Sequence, residues 1–220
     1  MQEGARIIAI RHGETDWNAG GRLQGQIDIP LNDSGTRQAQ LLAQSLVGMD
    51  IAAIYSSDLL RAKQTAEIVG QALSLDVLLN EALRERHFGS FQGMTFPQIE
   101  ECAPEDAQRW RQRDPDFVPG GDEGDGESLK VFSDRVVQAV GEVAARHAGQ
   151  QIAIVTHGGV LDAIYRAAAK LDIRAPRTWT LGNTCVSRLI WCPQGLHMTS
   201  WADTSHLERV ASGIEPNAEF

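Results

Sequence analysis

Three times along this chain a short run of β-branched and small apolar residues stops abruptly at a polar cluster. Arg6-Ile7-Ile8-Ala9-Ile10 runs into Arg11-His12-Gly13-Glu14-Thr15. Ile51-Ala52-Ala53-Ile54-Tyr55 runs into Ser56-Ser57-Asp58 and on to Arg61, and Ile152-Ala153-Ile154-Val155 into Thr156-His157-Gly158-Gly159. Apolar runs this short, without polar alternation, suit strands buried on both faces. Such strands need helices on either side. Ser34 to Val47 places Ala39, Leu42, Ala43 and Leu46 at helical spacing. Leu59 to Leu73 repeats the pattern with Ala62, Ala66, Val69 and Leu73, with Asp58 expected as its cap. Ser128 to His147 and Gly158 to Leu171 read as two more helices. The expected fold is α/β, a three-layer α/β/α domain around a mostly parallel central sheet.

Two stretches break the rhythm. Phe88 to Glu127 carries short helical signals at Phe96 to Cys102 and Glu105 to Arg113, then a Gly- and acid-rich segment from Gly120 to Glu127. It reads as a small helical cap insertion at about 88–127, covering one sheet edge. The Asp122 to Glu127 part has a calcium-site composition without EF-hand spacing and reads as a solvated loop. Thr184 to Trp191 and His197 to Trp201 flank Cys192-Pro193-Gln194-Gly195, which suits a turn between antiparallel strands. Gly213 to Phe220 reads as a loose tail. With 220 residues and no internal repeat, one domain over 1–220 with that insertion is expected.

Composition narrows the partners. Hydrophobic residues at 42% and charged residues at 22% support a packed core. Twenty basic against 29 acidic residues leave a charge of −9, the wrong sign for nucleic acid or an anionic membrane, so any bound anion must meet a local positive pocket. Cys102, Cys185 and Cys192 form no CxxC pair, which excludes a cysteine zinc site or disulfide framework and fits a reducing compartment. The N-terminus lacks a basic signal-peptide region, and no apolar stretch approaches the roughly 20 residues of a membrane span. The expected location is the cytoplasm, with no membrane and no nucleic-acid partner; a homodimer stays open.

In open α/β sheets, ligands bind outside the carboxyl ends of the strands. The three polar clusters therefore converge on one pocket holding two arginines and two histidines, a set that suits a phosphoryl group. Arg11 and Arg61 offer rigid, permanently charged forks. Backbone N–H groups of Gly158 and Gly159, where a helix begins, add anion affinity. A neutral imidazole is able to attack phosphorus, and Arg11 beside His12 discourages its protonation. Other readings stand beside these. Arg61 could pair with Asp58 at i, i+3, and Glu85 could be a surface carboxylate between Arg84 and Arg86. His12, His157 and Glu85 could be metal ligands, although they lack an HExxH spacing and two arginines would repel a cation. Trp110, Arg111 and Arg113 either line a substrate pocket or belong to an amphipathic cap helix, and His206 is either a residue supporting the pocket or a surface histidine, the second being preferred. Phe88, Phe91, Met94, Phe96 and Trp110 suggest an apolar wall over part of the site, suited to a leaving group larger than glycerate.

The segment Arg11-His12-Gly13-Glu14-Thr15-Asp16-Trp17-Asn18 resembles the signature of the histidine phosphatase superfamily, in its phosphoglycerate-mutase-like branch. Arg22 to Leu31 is similar to the loop that follows, Tyr55 to Ala66 to the second arginine motif, and Leu83 to Gly93 to the general-acid motif. Gly126-Glu127-Ser128-Leu129 and Val155-Thr156-His157-Gly158-Gly159 complete the order. The resemblance implies that His12 attacks phosphorus and becomes phosphohistidine, while Arg11, Arg61 and His157 hold the phosphoryl oxygens. It implies Glu85 as the general acid, then base, with Asn18 and Gln24 as neutral phosphate donors, Gly158 in the phosphate site, and no metal or cofactor.

The family holds both phosphatases and mutases. In the mutases a lysine soon follows the general-acid motif, and a long insertion precedes Glu-Ser-Leu. Here no lysine occurs between Gly93 and Lys130 and the insertion is short and acidic, while Gln24-Gly25-Gln26 is phosphatase-like. Leu83 to Gly89 is mutase-like. The expected function is a metal-independent phosphatase acting on small phosphate monoesters. A bisphosphoglycerate-dependent mutase is the first alternative, and a catalytically silent phospho-ligand-binding protein the second.

Overall fold

Strand β1 (Ala5–Arg11) divides its residues between two cores: Ala5, Ile7 and Ala9 face one side, Ile8 and Ile10 the other. β4 (Gln151–Thr156) does the same, with Ile152 and Ile154 on the first side and Ala153 and Val155 on the second. The two-residue period of a strand turns each apolar run into two buried faces, so helices must cover both.

The computed structural model describes residues 4–120 and 126–211. The remaining elements in chain order are α1 (Asp16–Ala19), α2 (Asp33–Leu46), β2 (Ala53–Ser56), α3 (Leu60–Leu73), β3 (Val77–Leu79), α4 (Phe96–Cys102), α5 (Pro104–Arg111), α6 (Leu129–Ala145), α7 (Gly158–Ala169), β5 (Val186–Cys192), β6 (Gly195–Asp203) and α8 (Ser205–Ala211). Among the described residues these strands form one six-stranded sheet in the order β3-β2-β4-β1-β5-β6. β3, β2, β4 and β1 run parallel, while β5 and β6 are antiparallel to their neighbours. The α/β class and mostly parallel sheet are those expected. α2 and α3 supply buried residues to one core, and α6 and α7 to the other.

The differences in detail have physical reasons. α3 begins at Leu60 with no side-chain cap on Leu59, and the Leu60 N–H donates instead to Asp28 Oδ1 at 2.6 Å. Asp58, expected as the cap, is drawn away by Arg84, whose Nε donates to Asp58 Oδ1 at 2.7 Å. β3 was not expected; it is three residues long at the sheet edge, with Leu78 and Leu79 exposed, too short for a periodic signal. α1, four residues capped by Thr15, and α8 also lay below that threshold. Within the expected insertion, α4 and α5 gather a small core of Phe91, Ile99, Ala107 and Phe117. This cap leans over the carboxyl ends of the strands rather than along a sheet edge: Leu23 N–H donates to the Met94 carbonyl at 2.9 Å, and Arg113 reaches Asp162 of α7 at 2.8 Å. The acidic loop at 121–125 and the tail from Gly213 lie outside the described residues.

Candidate active site

Parallel register builds the site. Arg11 at the end of β1 is level with Thr156 at the end of β4, and Val155 is level with Ser56 at the end of β2. The ladder continues for one more bond on each side, His12 N–H to the Thr156 carbonyl at 2.9 Å and Ser57 N–H to the Val155 carbonyl at 3.0 Å. His12, Ser57 and His157 therefore leave three adjacent strands at one height. The imidazole centroids of His12 and His157 are 5.3 Å apart. In front of them lies a pocket of about 220 Å³ lined by Arg11, His12, Asn18, Gln24, Arg61, Glu85 and Gly158 together with residues considered below. His157 is fully buried beside His12, where its Nε2 meets Ser57 Oγ at 2.8 Å and its Nδ1 has no hydrogen-bond partner among the described residues.

His12 Nδ1 lies 2.7 Å from the Gly13 carbonyl. A carbonyl only accepts, so Nδ1 carries the proton and Nε2 is left with its lone pair. Gly13 is itself clamped: its N–H donates to Thr65 Oγ1 at 3.0 Å, and that hydroxyl donates to the Arg61 carbonyl at 2.8 Å. A Cβ on Gly13 would come within 2.5 Å of the Gly35 carbonyl oxygen, so the residue must be glycine. Burial, then the charges of Arg61 and Arg11, hold the His12 imidazolium well below its ordinary pKa. His157 is depressed in the same direction by burial, Arg61, His12 and Arg11.

Both arginines are held by backbone and keep a donor in reserve. Arg61 donates from Nη1 to the Ile27 carbonyl at 3.0 Å and from Nη2 to that of Gly25 at 2.7 Å; its Nε is buried without a partner among the described residues. Burial pushes its pKa down to about 10. Arg11 donates from Nη1 to the Leu181 carbonyl, and its Nε is likewise buried and unpartnered, with burial again lowering the pKa. Charged donors of this kind bind anions with short, strong hydrogen bonds, so both Nε groups are available to a phosphoryl oxygen. Gln24 has a buried, unpartnered amide oxygen, and rotating the amide by half a turn presents donors in its place. Asn18 Oδ1 accepts from the N–H and hydroxyl of Thr15 at 3.2 and 3.1 Å and from Asn183 at 3.3 Å. The part of its amide left over is the donor.

Glu85 is not a surface carboxylate. Its Oε1 accepts from the Arg86 N–H and its Oε2 from the Gly159 N–H, both at 2.8 Å. The Gly159 donor expected to bind an anion is thus taken by Glu85, and a Cβ on Gly159 would collide with Oε1. The turn that presents Glu85 is tied down from two sides. Thr156 Oγ1 donates to the Leu83 carbonyl at 2.8 Å, and Arg135 Nη1 donates to the carbonyls of Ala82 and Arg84 at 2.8 and 3.1 Å. Glu127 grips Arg135 through both oxygens at 2.8 and 2.7 Å, which gives the Glu-Ser-Leu motif a supporting role. Ser128, next to it, caps α6.

Several readings of single residues are corrected. Asp58 pairs with Arg84, not with Arg61, and that hydrogen bond lowers the Asp58 pKa. Of the five residues expected to wall the site, Phe88 lines the pocket, whereas Phe91, Met94, Phe96 and Trp110 pack the cap's own core. Arg111 pairs with Glu100 and Arg113 with Asp162, so neither faces the pocket. His206 is buried, not superficial: its Nε2 meets Thr184 Oγ1 at 3.1 Å, and the Thr184 N–H donates to the His12 carbonyl at 3.3 Å. Arg22, Leu23, Gly25, Gly159, Arg177 and Leu181 complete the lining. Arg22 stands in a recognised motif without an assigned role. Arg177 and Leu181 come from a stretch with no motif or periodicity, so no sequence signal pointed to them.

Comparison with known proteins gives the family. The model of the histidine phosphatase superfamily (branch 1) matches residues 7–204. Two Arabidopsis thaliana proteins are each 38% identical and match 94% of this chain. They are phosphoglycerate mutase-like protein 4, of which 88% is covered, and a metal-independent phosphoserine phosphatase, of which 85% is covered. The native structure of a mycobacterial glucosyl-3-phosphoglycerate phosphatase superimposes with a TM-score of 0.80 at 32% identity, over 90% of this chain and 99% of that one. Because the family match begins inside β1 and runs past β6, taking in both histidines and the strands that carry them, this chain belongs to the histidine phosphatase superfamily.

Proposed function

We propose that the chain is a metal-independent phosphatase that hydrolyses small phosphate monoesters through a phosphohistidine on His12. The observation that carries this reading is His12 itself, buried between Arg11 and Arg61 as the tautomer whose Nε2 lone pair is free. In the first half-reaction Nε2 bonds to phosphorus and the phosphorus–oxygen ester bond breaks, with the departing oxygen taking a proton from Glu85. In the second, water bonds to phosphorus as the phosphorus–nitrogen bond breaks, and Glu85 receives the water's proton. Arg11 and Arg61 stabilise the charge on the equatorial oxygens, with donors from His157, Asn18, Gln24 and the Gly158 backbone completing the cradle. Two guanidinium charges beside the histidines disfavour a divalent cation there, in keeping with the name of the metal-independent relative.

The mutase reading draws on the relative named phosphoglycerate mutase-like. The acidic insertion and the absence of lysine between Gly93 and Lys130 favour hydrolysis. A small-molecule phosphate ester is the proposed partner, and cysteine usage supports a cytoplasmic setting; among the described residues no helix is long and apolar enough to cross a membrane. Phosphate release from a panel containing an aryl phosphate, phosphoserine and 3-phosphoglycerate, measured in EDTA, tests the proposal. Turnover in the wild type and its loss in His12→Ala are expected. Release that persists in His12→Ala would refute the phosphohistidine route, and mutase turnover exceeding hydrolysis would favour the alternative.

A further inference from the structure

The pocket holds more positive charge than phosphoryl transfer needs. Four arginines line it, Arg11, Arg22, Arg61 and Arg177, against one carboxylate, Glu85. Arg11 and Arg61 account for the inner end, while Arg22 and Arg177 are exposed at the mouth.

Arg177 is the less expected of the outer pair. It stands on the segment between α7 and β5, which has no regular structure but is firmly pinned. Trp179 stacks on Tyr165 with centroids 3.9 Å apart, and Arg166 lies over the Trp179 ring at 5.0 Å. Arg177 Nε donates to the Trp179 carbonyl at 3.0 Å, and neither Nη has a hydrogen bond among the described residues. Asp162 forms a long ion pair with it but accepts none of its hydrogen bonds. Asp162 Oδ2 already receives Arg113 and Arg166 at 2.8 and 2.9 Å, and Oδ1 is 3.9 Å from Arg177, beyond hydrogen-bonding reach. Arg177 is also close enough to Arg11 to depress its pKa, so its charge is felt at the inner site. A guanidinium fixed by its backbone neighbours, with both outer donors free, is preorganised for a planar anion. The pocket of about 220 Å³ is smaller than sites for drug-sized ligands, roughly 300–1,000 Å³, so that anion must sit a few bonds from phosphorus.

Building on the phosphatase reading above, we propose that Arg177, helped by Arg22, forms a subsite for a carboxylate on the leaving group. The preferred substrates are then phosphate esters of small hydroxy acids or hydroxyamino acids rather than simple alkyl or aryl phosphates.

O-phosphoserine and O-phosphoethanolamine differ only by the carboxylate, so their kcat/KM ratio isolates the subsite from phosphoryl chemistry and from folding. A wild-type ratio of about tenfold or more is expected. It should fall to within about threefold of unity in Arg177→Gln and recover in part in Arg177→Lys. Calorimetric binding of the same two esters to His12→Ala gives a second readout that needs no turnover. A wild-type kcat/KM ratio near unity together with equal binding of the two esters to His12→Ala, or a preference unchanged by Arg177→Gln, overturns the subsite. If no ester is hydrolysed, yet phosphoserine binds in preference and this depends on Arg177, the subsite stands and the phosphatase reading fails.

Discussion

At the scale of the residue, the proposed phosphohistidine route depends on keeping two imidazoles neutral in a buried, positively charged place. His12 and His157 are both held well below the ordinary histidine pKa, first by burial and then by arginine charge. In the unfolded chain they titrate near about 6.5. Below that pH the unfolded state binds protons that the native state refuses, so acid favours unfolding. The stability at stake is present above about pH 6.5 and is lost as pH falls from there toward the depressed native values. Thermal melts between pH 7.5 and 5 should show a falling Tm, with a shallower slope in the His12→Gln, His157→Gln double variant. An identical slope in that variant would contradict the account. The charged residues of the motifs were legible in the sequence because the chemistry needs those side chains at strand ends. The neutral tautomer of His12 was not legible in full, since the carbonyl that fixes it is placed by the Gly13 and Thr65 contacts.

At the scale of the element, the turn that carries Glu85 shows how far support extends from the candidate site. Glu85 touches two backbone N–H groups, but its turn is anchored by Arg135 of α6, which is oriented in turn by Glu127. Glu127→Gln retains the shape of the side chain but removes the charge from a largely buried, two-pronged pair. The expected cost is about 1–3 kcal/mol in urea unfolding, with kcat falling more than KM rises. A stability loss with unchanged kcat would mean that the turn holds its position without Arg135. The helices themselves were read from periodicity to within a few residues, because amphipathic spacing is a local property. The α3 cap was misread because Asp58 and Asp28 both stand near Leu60 in space, and Arg84, 26 residues from Asp58, decides which of them is free.

At the scale of the whole molecule, a protein of charge −9 concentrates positive charge at one crevice above the sheet. The Nε donors of Arg11 and Arg61, buried and without a partner among the described residues, are available to an anion in this crevice. Inorganic phosphate should therefore raise Tm. At a hundred times its dissociation constant the gain is about 2.7 kcal/mol, and it should be largely lost in Arg61→Met. An equal rise in that variant would place phosphate elsewhere. By itself the sequence determined the layered α/β architecture, the mostly parallel sheet and the convergence of Arg11, His12, Arg61 and His157, since strand and helix periods are local and strand ends share one edge; Glu85 was legible only through its motif's resemblance. Tertiary structure alone decided that Gly159 serves Glu85, that His206 is buried behind His12, that the aromatic residues after Phe88 build a cap core, and that Arg177 enters the pocket. Periodicity tells which face of an element is buried, but not which distant group a buried or polar atom will meet, and these outcomes are set by such long-range pairings.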